Sequence, residues 1–319
     1  MAKKLLVALA LTTAIATPAL AFPDKPIELV VPFSPGGGSD VSARVFASCL
    51  ESHLDEKVLV KNIEGARGKI GEVEVRDARP DGYKLLWAHQ GMDMALPTGR
   101  SDYNYTAFQP VASTVAMNYG IFAGANSGID GVDALKKKIS DSPGSFTIGM
   151  ALNGFSHFAA LDFLDSAGVS AGDVRAIPMS GDKSRIVAAM QGNLTLVPTA
   201  VGAAAPYVDS GDLVSVAVLA ENRDSRLSEA RTAMEQQVDS LFAMYFTTYA
   251  PKGTSPDVVD VLADAWIAAA EDPACQQKLA KQSMTVVPAR GEELDKDLAR
   301  RYSRIESLTK KFNLTTAGN

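Results

Sequence analysis

Between residues 27 and 219 the chain repeatedly switches its hydrophobic period. Short runs rich in β-branched and aromatic residues alternate with stretches whose apolar residues recur every three or four positions. An α/β architecture satisfies both periods in turn. Residues 27–33, 57–62, 84–88, 111–122, 145–150, 174–179, 194–198 and 213–219 read as strands, and 41–54, 72–78, 132–139, 157–167 and 183–191 as helices. The first helix carries Val41, Val45, Cys49, Leu50 and Leu54 along one face. The last third turns helical. Ser255-Pro256-Asp257 supplies an N-cap, a first-turn proline and an acid that suits the helix dipole, and Asp272-Pro273 repeats the device. Leu294, Leu298, Tyr302, Ile305 and Leu308 trace one face of a final helix. No repeat, low-complexity tract or long linker interrupts this order, so two lobes would be joined by more than one crossing of the chain.

The N-terminus predicts export. Lys3 and Lys4 precede an uncharged apolar run from residue 5 to 15, and Ala19-Leu20-Ala21 has the small-x-small form of a cleavage site. The run is too short to span a bilayer. Cleavage after Ala21 would leave Phe22 first, with no cysteine at the cut to take a lipid, so the expected product floats free in the periplasm. The formal net charge of −6 deepens by two when Lys3 and Lys4 leave with residues 1–21. That balance argues against nucleic acid and anionic membrane surfaces as partners, though an acidic protein can hold a locally positive site. Two cysteines, Cys49 and Cys275, cannot build a disulfide scaffold, and the 46% apolar content points to a core made by burial. An oxidising compartment allows a bridge between them; two buried free thiols acting as small apolar residues is the preferred expectation.

The strongest local feature is Pro35-Gly36-Gly37-Gly38-Ser39-Asp40, between a strand and an amphipathic helix. Its glycines let the backbone turn tightly and bring N–H groups close to a ligand, and the helix start adds partial positive charge and unpaired donors. A carboxylate or phosphate suits such a place; a plain strand-to-helix turn is the simpler reading. The spacing matches neither Gly-x-Gly-x-x-Gly nor a loop ending in Gly-Lys-Ser/Thr. Asn153-Gly154-Phe155-Ser156 and Ser180-Gly181-Asp182 repeat the arrangement later in the chain.

Signs of catalysis are poor. His53, His89 and His157 have no metal-ligand spacing, so neither a metal nor another cofactor is expected. Ser156 and His157 invite a nucleophile reading, yet neighbours on one backbone rarely bring hydroxyl and imidazole into bonding geometry. Phe158 also spoils a Gly-x-Ser-x-Gly elbow.

Across 26–313 the chain resembles the periplasmic solute receptors of the tripartite tricarboxylate transporters, often called the Bug family. The resemblance is carried by Lys25 to Phe33 followed by Pro35 to Asp40 and Ala43-Arg44, by Pro80-Asp81-Gly82-Tyr83, and by Phe108-Gln109-Pro110-Val111-Ala112. Gly154-Phe155-Ser156-His157, Gly211-Asp212-Leu213 and Ala250-Pro251-Lys252-Gly253-Thr254 extend it. It implies a two-lobed type II periplasmic binding protein fold, α/β in each lobe, with a ligand cleft between lobes. The expected division is residues 22–122 and 247–319 in the first lobe and 123–246 in the second. It also implies a monomer that binds a small carboxylate, di- or tricarboxylate, and hands it to two integral membrane subunits. Matching site positions are Pro35, Gly36, Gly37, Gly38, Ser39, Asp40, His89 and Gln90 in the first lobe. In the second lobe they are Asn153, Gly154, Phe155, Ser156, His157, Ser180, Gly181 and Asp182.

Three departures bear on the ligand. The turn usually written Gly-Ala-Gly-Gly in relatives is Gly65-Ala66-Arg67-Gly68 here, which puts a guanidinium near the expected cleft, either to meet a second carboxylate or to face solvent. Met179 stands where relatives often carry tyrosine, and Pro198-Thr199 replace a usual acid. A ligand-presenting partner of a sensor kinase is an alternative of the same fold. A periplasmic hydrolase or isomerase using Ser156 and His157 is the alternative from another class.

Overall fold

A computed structural model describes residues 22–315; the expected export segment, 1–21, lies outside them. The chain runs β1 (Ile27–Val31), α1 (Gly38–Leu54), β2 (Val58–Asn62), α2 (Lys69–Arg76), β3 (Lys84–His89) and β4 (Phe108–Met117). It continues through β5 (Tyr119–Gly124), α3 (Val132–Asp141), β6 (Phe146–Met150), α4 (Phe155–Ser166), β7 (Val174–Pro178), α5 (Asp182–Met190), β8 (Leu196–Ala200), α6 (Val201–Asp209) and β9 (Leu213–Val218). It ends with β10 (Met244–Pro251), α7 (Pro256–Glu271), α8 (Pro273–Ala280), β11 (Thr285–Ala289) and α9 (Gly291–Lys311).

These strands make two sheets, ordered β11-β4-β10-β3-β1-β2 and β7-β6-β8-β5-β9, and each sheet is the centre of one lobe. β1 pairs in parallel with β2 and β3, while β10 runs antiparallel between β3 and β4. In the second sheet β6 is parallel to β7 and β8, and β5 is antiparallel to β8 and β9. Helices cover both faces of β1, which is why its sequence is an apolar run without alternation. Leu29 and Val31 face one core with Phe46 and Trp87, and Val30 faces another with Val75 and Leu86. The predicted strand 111–122 is two strands. It breaks at Asn118, and its halves belong to different sheets, so β5 does not sit with the first lobe. Both halves are almost wholly buried, so no change of pattern marks the break.

The crossings are pinned by buried side chains. At the first, the Asn118 amide donates to Asp224 at 2.9 Å, and its backbone carbonyl accepts from Val201. At the return into β10, the Gln90 amide donates to the Ala243 carbonyl at 2.6 Å and accepts from the Tyr245 N–H at 3.0 Å. A third tie is α9. Its Leu294 and Leu298 enter the first lobe's core, whereas Ile305 and Leu308 enter the second lobe's, so the end of residues 247–319 is shared between lobes. Arg304 of α9 donates to the buried Asp162 of α4 at 2.5 Å, and Ser240 bonds the other carboxylate oxygen.

The preferred expectation for the cysteines was wrong. Cys49 and Cys275 form a disulfide with Cα atoms 5.6 Å apart, because α1 and α8 pack together with both residues inward. Periodicity placed each cysteine on a buried face but could not show that the two faces meet. The bridge closes a span of 226 residues, and loss of such a cross-link typically costs ~2–5 kcal/mol. Thiol counting in denaturant should find none before reduction, and the Cys49→Ala/Cys275→Ala protein should melt well below the parent. Two free thiols in the native preparation would contradict this.

Candidate functional site

The C-terminal ends of parallel strands from both sheets face one another across a cavity of about 480 Å³. Open α/β sheets place ligands at this edge, because strands end and helices begin there. Phe33 after β1, Arg67 in the turn before α2, His89 at the end of β3, and Gly91, Met94 and Arg100 beyond it line the first lobe's side. Ala151 to Phe155 between β6 and α4, and Pro178 to Ser180 between β7 and α5, line the second lobe's side.

The loop before α4 is shaped by the two residues that looked most like catalysts. Ser156 accepts from the Ala151 N–H at 2.9 Å, and His157 Nδ1 accepts from the Asn153 N–H at 3.0 Å. Both are buried within the turn they organise, and each side chain is bonded to loop backbone. Burial lowers the His157 pKa to about 4, which keeps the ring neutral and its Nδ1 an acceptor. These bonds hold Asn153 at φ 54. The start of α4 is then capped by Gly154 without a side-chain bond, and α5 begins the same way at Gly181. Helices α7 and α8, by contrast, have their first turns capped by Ser255 and Asp272. The donors at the starts of α4 and α5 are therefore not claimed by a cap.

Arg185 anchors the loop before α5. It is almost wholly buried, donates to the Met179 carbonyl at 3.1 Å and pairs with Asp182. Asp40 does similar work beside Phe33, accepting from Gly36 N–H, Arg44 and Asn62 at 2.8, 2.9 and 2.9 Å. Its carboxylate folds the glycine loop and, by accepting these bonds, is spent inside the first lobe.

Aromatic rings and guanidiniums give the cavity its character. Phe33 stacks on His89 with centroids 5.0 Å and planes 8° apart, and Phe155 meets the edge of His89 at 6.0 Å. The Gly91 N–H donates to His89 Nδ1 at 2.9 Å, and desolvation brings the His89 pKa down to about 4. Arg100 reaches between lobes, bonding Thr98 at 3.0 Å and the Asn153 carbonyl at 3.0 Å. Burial, and then the charge of Arg67, lowers its pKa; the Glu72 carboxylate opposes both. Arg67 is exposed to the cavity in the left-handed region, at φ 58. Local charge at the site is thus positive in an acidic protein.

Of the residues expected at the site, the structure brings together Arg67, His89, Asn153, Gly154, Phe155 and Ser180 on the cavity wall. Pro35, Gly36, Gly37, Gly38, Ser39 and Asp40 lie beside Phe33 but do not line the cavity. Gln90 turns away to staple the crossing, Ser156 and His157 are buried behind the α4 loop, and Gly181 and Asp182 follow Ser180 without lining the cavity. Phe33, Gly91, Met94, Arg100, Ala151, Leu152 and Pro178 were not expected, and Met179, noted in the sequence only as a departure bearing on the ligand, also lines the wall. Phe33, Leu152, Pro178 and Met179 adjoin motifs that were recognised. Met94 and Arg100 stand in a segment without periodicity, where sequence offers no signal. Among the described residues, no group of three or more His, Cys, Asp or Glu converges as metal ligands would.

A family model described as the tripartite tricarboxylate transporter family receptor matches residues 42–314. Protein BugT of Bordetella pertussis is 28% identical over 286 residues, covering 87% of each chain. The structure resembles that of a TctC solute binding protein from Polaromonas, with a TM-score of 0.80 and 27% identity over 91% of this chain and 99% of the other. It also resembles the periplasmic binding protein BugD, with a TM-score of 0.72 and 26% identity over 92% and 100%.

Beneath Arg100, burial raises the Glu72 pKa to about 7, partly offset by a 3.0 Å bond from the Tyr103 hydroxyl, and Asp93 is likewise raised to about 7 by burial. A carboxyl raised on folding stabilises fully below its unfolded pKa, and that stability is lost as pH rises through the folded value. Chemical denaturation should therefore show a Glu72-dependent loss between pH 4.5 and 7, of order 3 kcal/mol at most. Glu72→Gln should reduce the slope over that window, leaving the contribution of Asp93. An unchanged slope in the variant would contradict the assignment.

Proposed function

The chain belongs to the tripartite tricarboxylate transporter receptor family, and from that premise we propose that it captures a small organic carboxylate between its lobes and delivers it to the two membrane subunits of such a transporter. The observation that carries this reading is the pair of guanidiniums, Arg67 and Arg100, on a cavity that the uncapped start of α4 also lines, with Arg100 bonded to the Asn153 carbonyl of that loop. One carboxylate group suits the amides of the second lobe, through partial charge and unpaired donors. A second suits the two guanidiniums, which favours a di- or tricarboxylate. Family and fold are those of solute-binding receptors, and the bonds made by Ser156 and His157 account for both residues without a reaction. In this reading the protein works as a monomer in the periplasm, released by cleavage after Ala21. Closure of the lobes over the ligand moves them about the two crossings.

Calorimetry against short mono-, di- and tricarboxylates should find one ligand per chain at micromolar Kd or tighter, about −8 kcal/mol or beyond. Solution scattering should show a smaller radius of gyration on binding. Binding of an uncharged sugar in preference to every carboxylate would sink the reading, and turnover of the ligand would replace it with an enzyme. Arg67→Ala should weaken a dicarboxylate by ~1.5–3 kcal/mol and leave a monocarboxylate nearly unaffected. Equal losses for both would remove Arg67 from recognition of the second carboxylate. Intact mass of protein from osmotic shock should begin at Phe22, and recovery of the uncut chain in membranes would contradict the export route.

A further inference from the structure

Between its polar groups the cavity is apolar. Phe33 and Phe155 wall it from opposite lobes, with Met94 and Met179 beside them. The rings are held in place. Phe33 stacks on His89, and Phe155 packs edge-on against His89 and, at 4.8 Å, against the buried Tyr119.

The polar side chains on the wall are mostly donors. No aspartate or glutamate lines the cavity. The Asn153 carbonyl is already taken by Arg100, and His89 Nδ1 by the Gly91 N–H. With Nδ1 accepting and the ring neutral, the His89 proton sits on Nε2, so this ring too presents a donor. The side-chain acceptors left are the Asn153 amide and the Ser180 hydroxyl, both on the second lobe.

A carboxylate accepts only, and a donor-rich site satisfies it. A hydroxyl group must also donate, and one buried against a phenyl ring without an acceptor forfeits its bonds to water. We infer that the ligand is a dicarboxylate with an apolar body, aliphatic or aromatic, whose carboxylates meet the guanidiniums and the α4 amides while its body lies against Phe33 and Phe155. The inference rests on the carboxylate-receptor reading above and narrows it.

The test is a matched pair in calorimetry. Adipate and galactarate share chain length and charge and differ by a hydroxyl on every inner carbon; isophthalate adds a flat aromatic body. Adipate or isophthalate should bind at least tenfold more tightly than galactarate. Phe33→Ser should weaken the apolar ligand about tenfold and narrow the gap. Because Phe33 also supports His89, Leu152→Asn, at a wall residue that is 42% exposed, provides a second variant expected to shift preference the same way without touching the core. Galactarate, malate or citrate binding as tightly as adipate and isophthalate would overturn the inference and leave the receptor reading standing. Binding of no carboxylate at all would overturn both.

Discussion

The site exists because two separate cores are held edge to edge, and α9 is the element that spans them. It is a single helix of 21 residues, about 31 Å long at the usual rise. Leu294 and Leu298 are buried in one core and Ile305 and Leu308 in the other. Each such side chain contributes roughly 1.5–3 kcal/mol of burial. The Arg304–Asp162 pair adds direction to these non-directional contacts, since a buried carboxylate is costly unless a partner stays in place. Motion of one lobe against the other must therefore involve α9 as well as the backbone crossings, where Asn118 and Gln90 set the geometry through buried hydrogen bonds.

With the lobes so placed, polar residues near the cavity divide into those that shape loops and those that face the empty space. Asp40, Ser156, His157 and Asp182 belong to the first group. The first three are bonded to backbone of their own loops, Asp182 pairs with Arg185 of α5, and each carries a chemistry that in isolation suggests ligand contact. The second group, Arg67, His89, Arg100, Asn153 and Ser180, is mostly cationic or aromatic. The division follows from turn geometry: Ser, Asp and Asn side chains satisfy nearby backbone readily, while an arginine six or seven bonds long reaches past its own loop.

The electrostatics follow the same logic. Arg100 is partly desolvated, close to Arg67, and backed by the buried Glu72. That arrangement concentrates positive charge at one wall of a protein whose overall balance is negative. It also explains why an acidic net charge says nothing against an anionic ligand.

The α/β class, the helix starts at Ser255 and Asp272, and the three glycine-led turns were legible in the sequence, because each depends on residues within one turn or one strand of each other. Pairing of Cys49 with Cys275, the break at Asn118, the turn of Gln90 toward Ala243, and the arrival of Arg100 at Asn153 were not. Those facts depend on which surfaces meet across separations of tens to hundreds of residues, and periodicity reports only which face of an element is apolar. By itself the sequence determined where backbone amides could be left open to an anion. Only the tertiary structure decided which of those turns share a cavity and which side chains stand opposite them, because burial and long-range packing assign each polar group either to its own loop or to the space between the lobes.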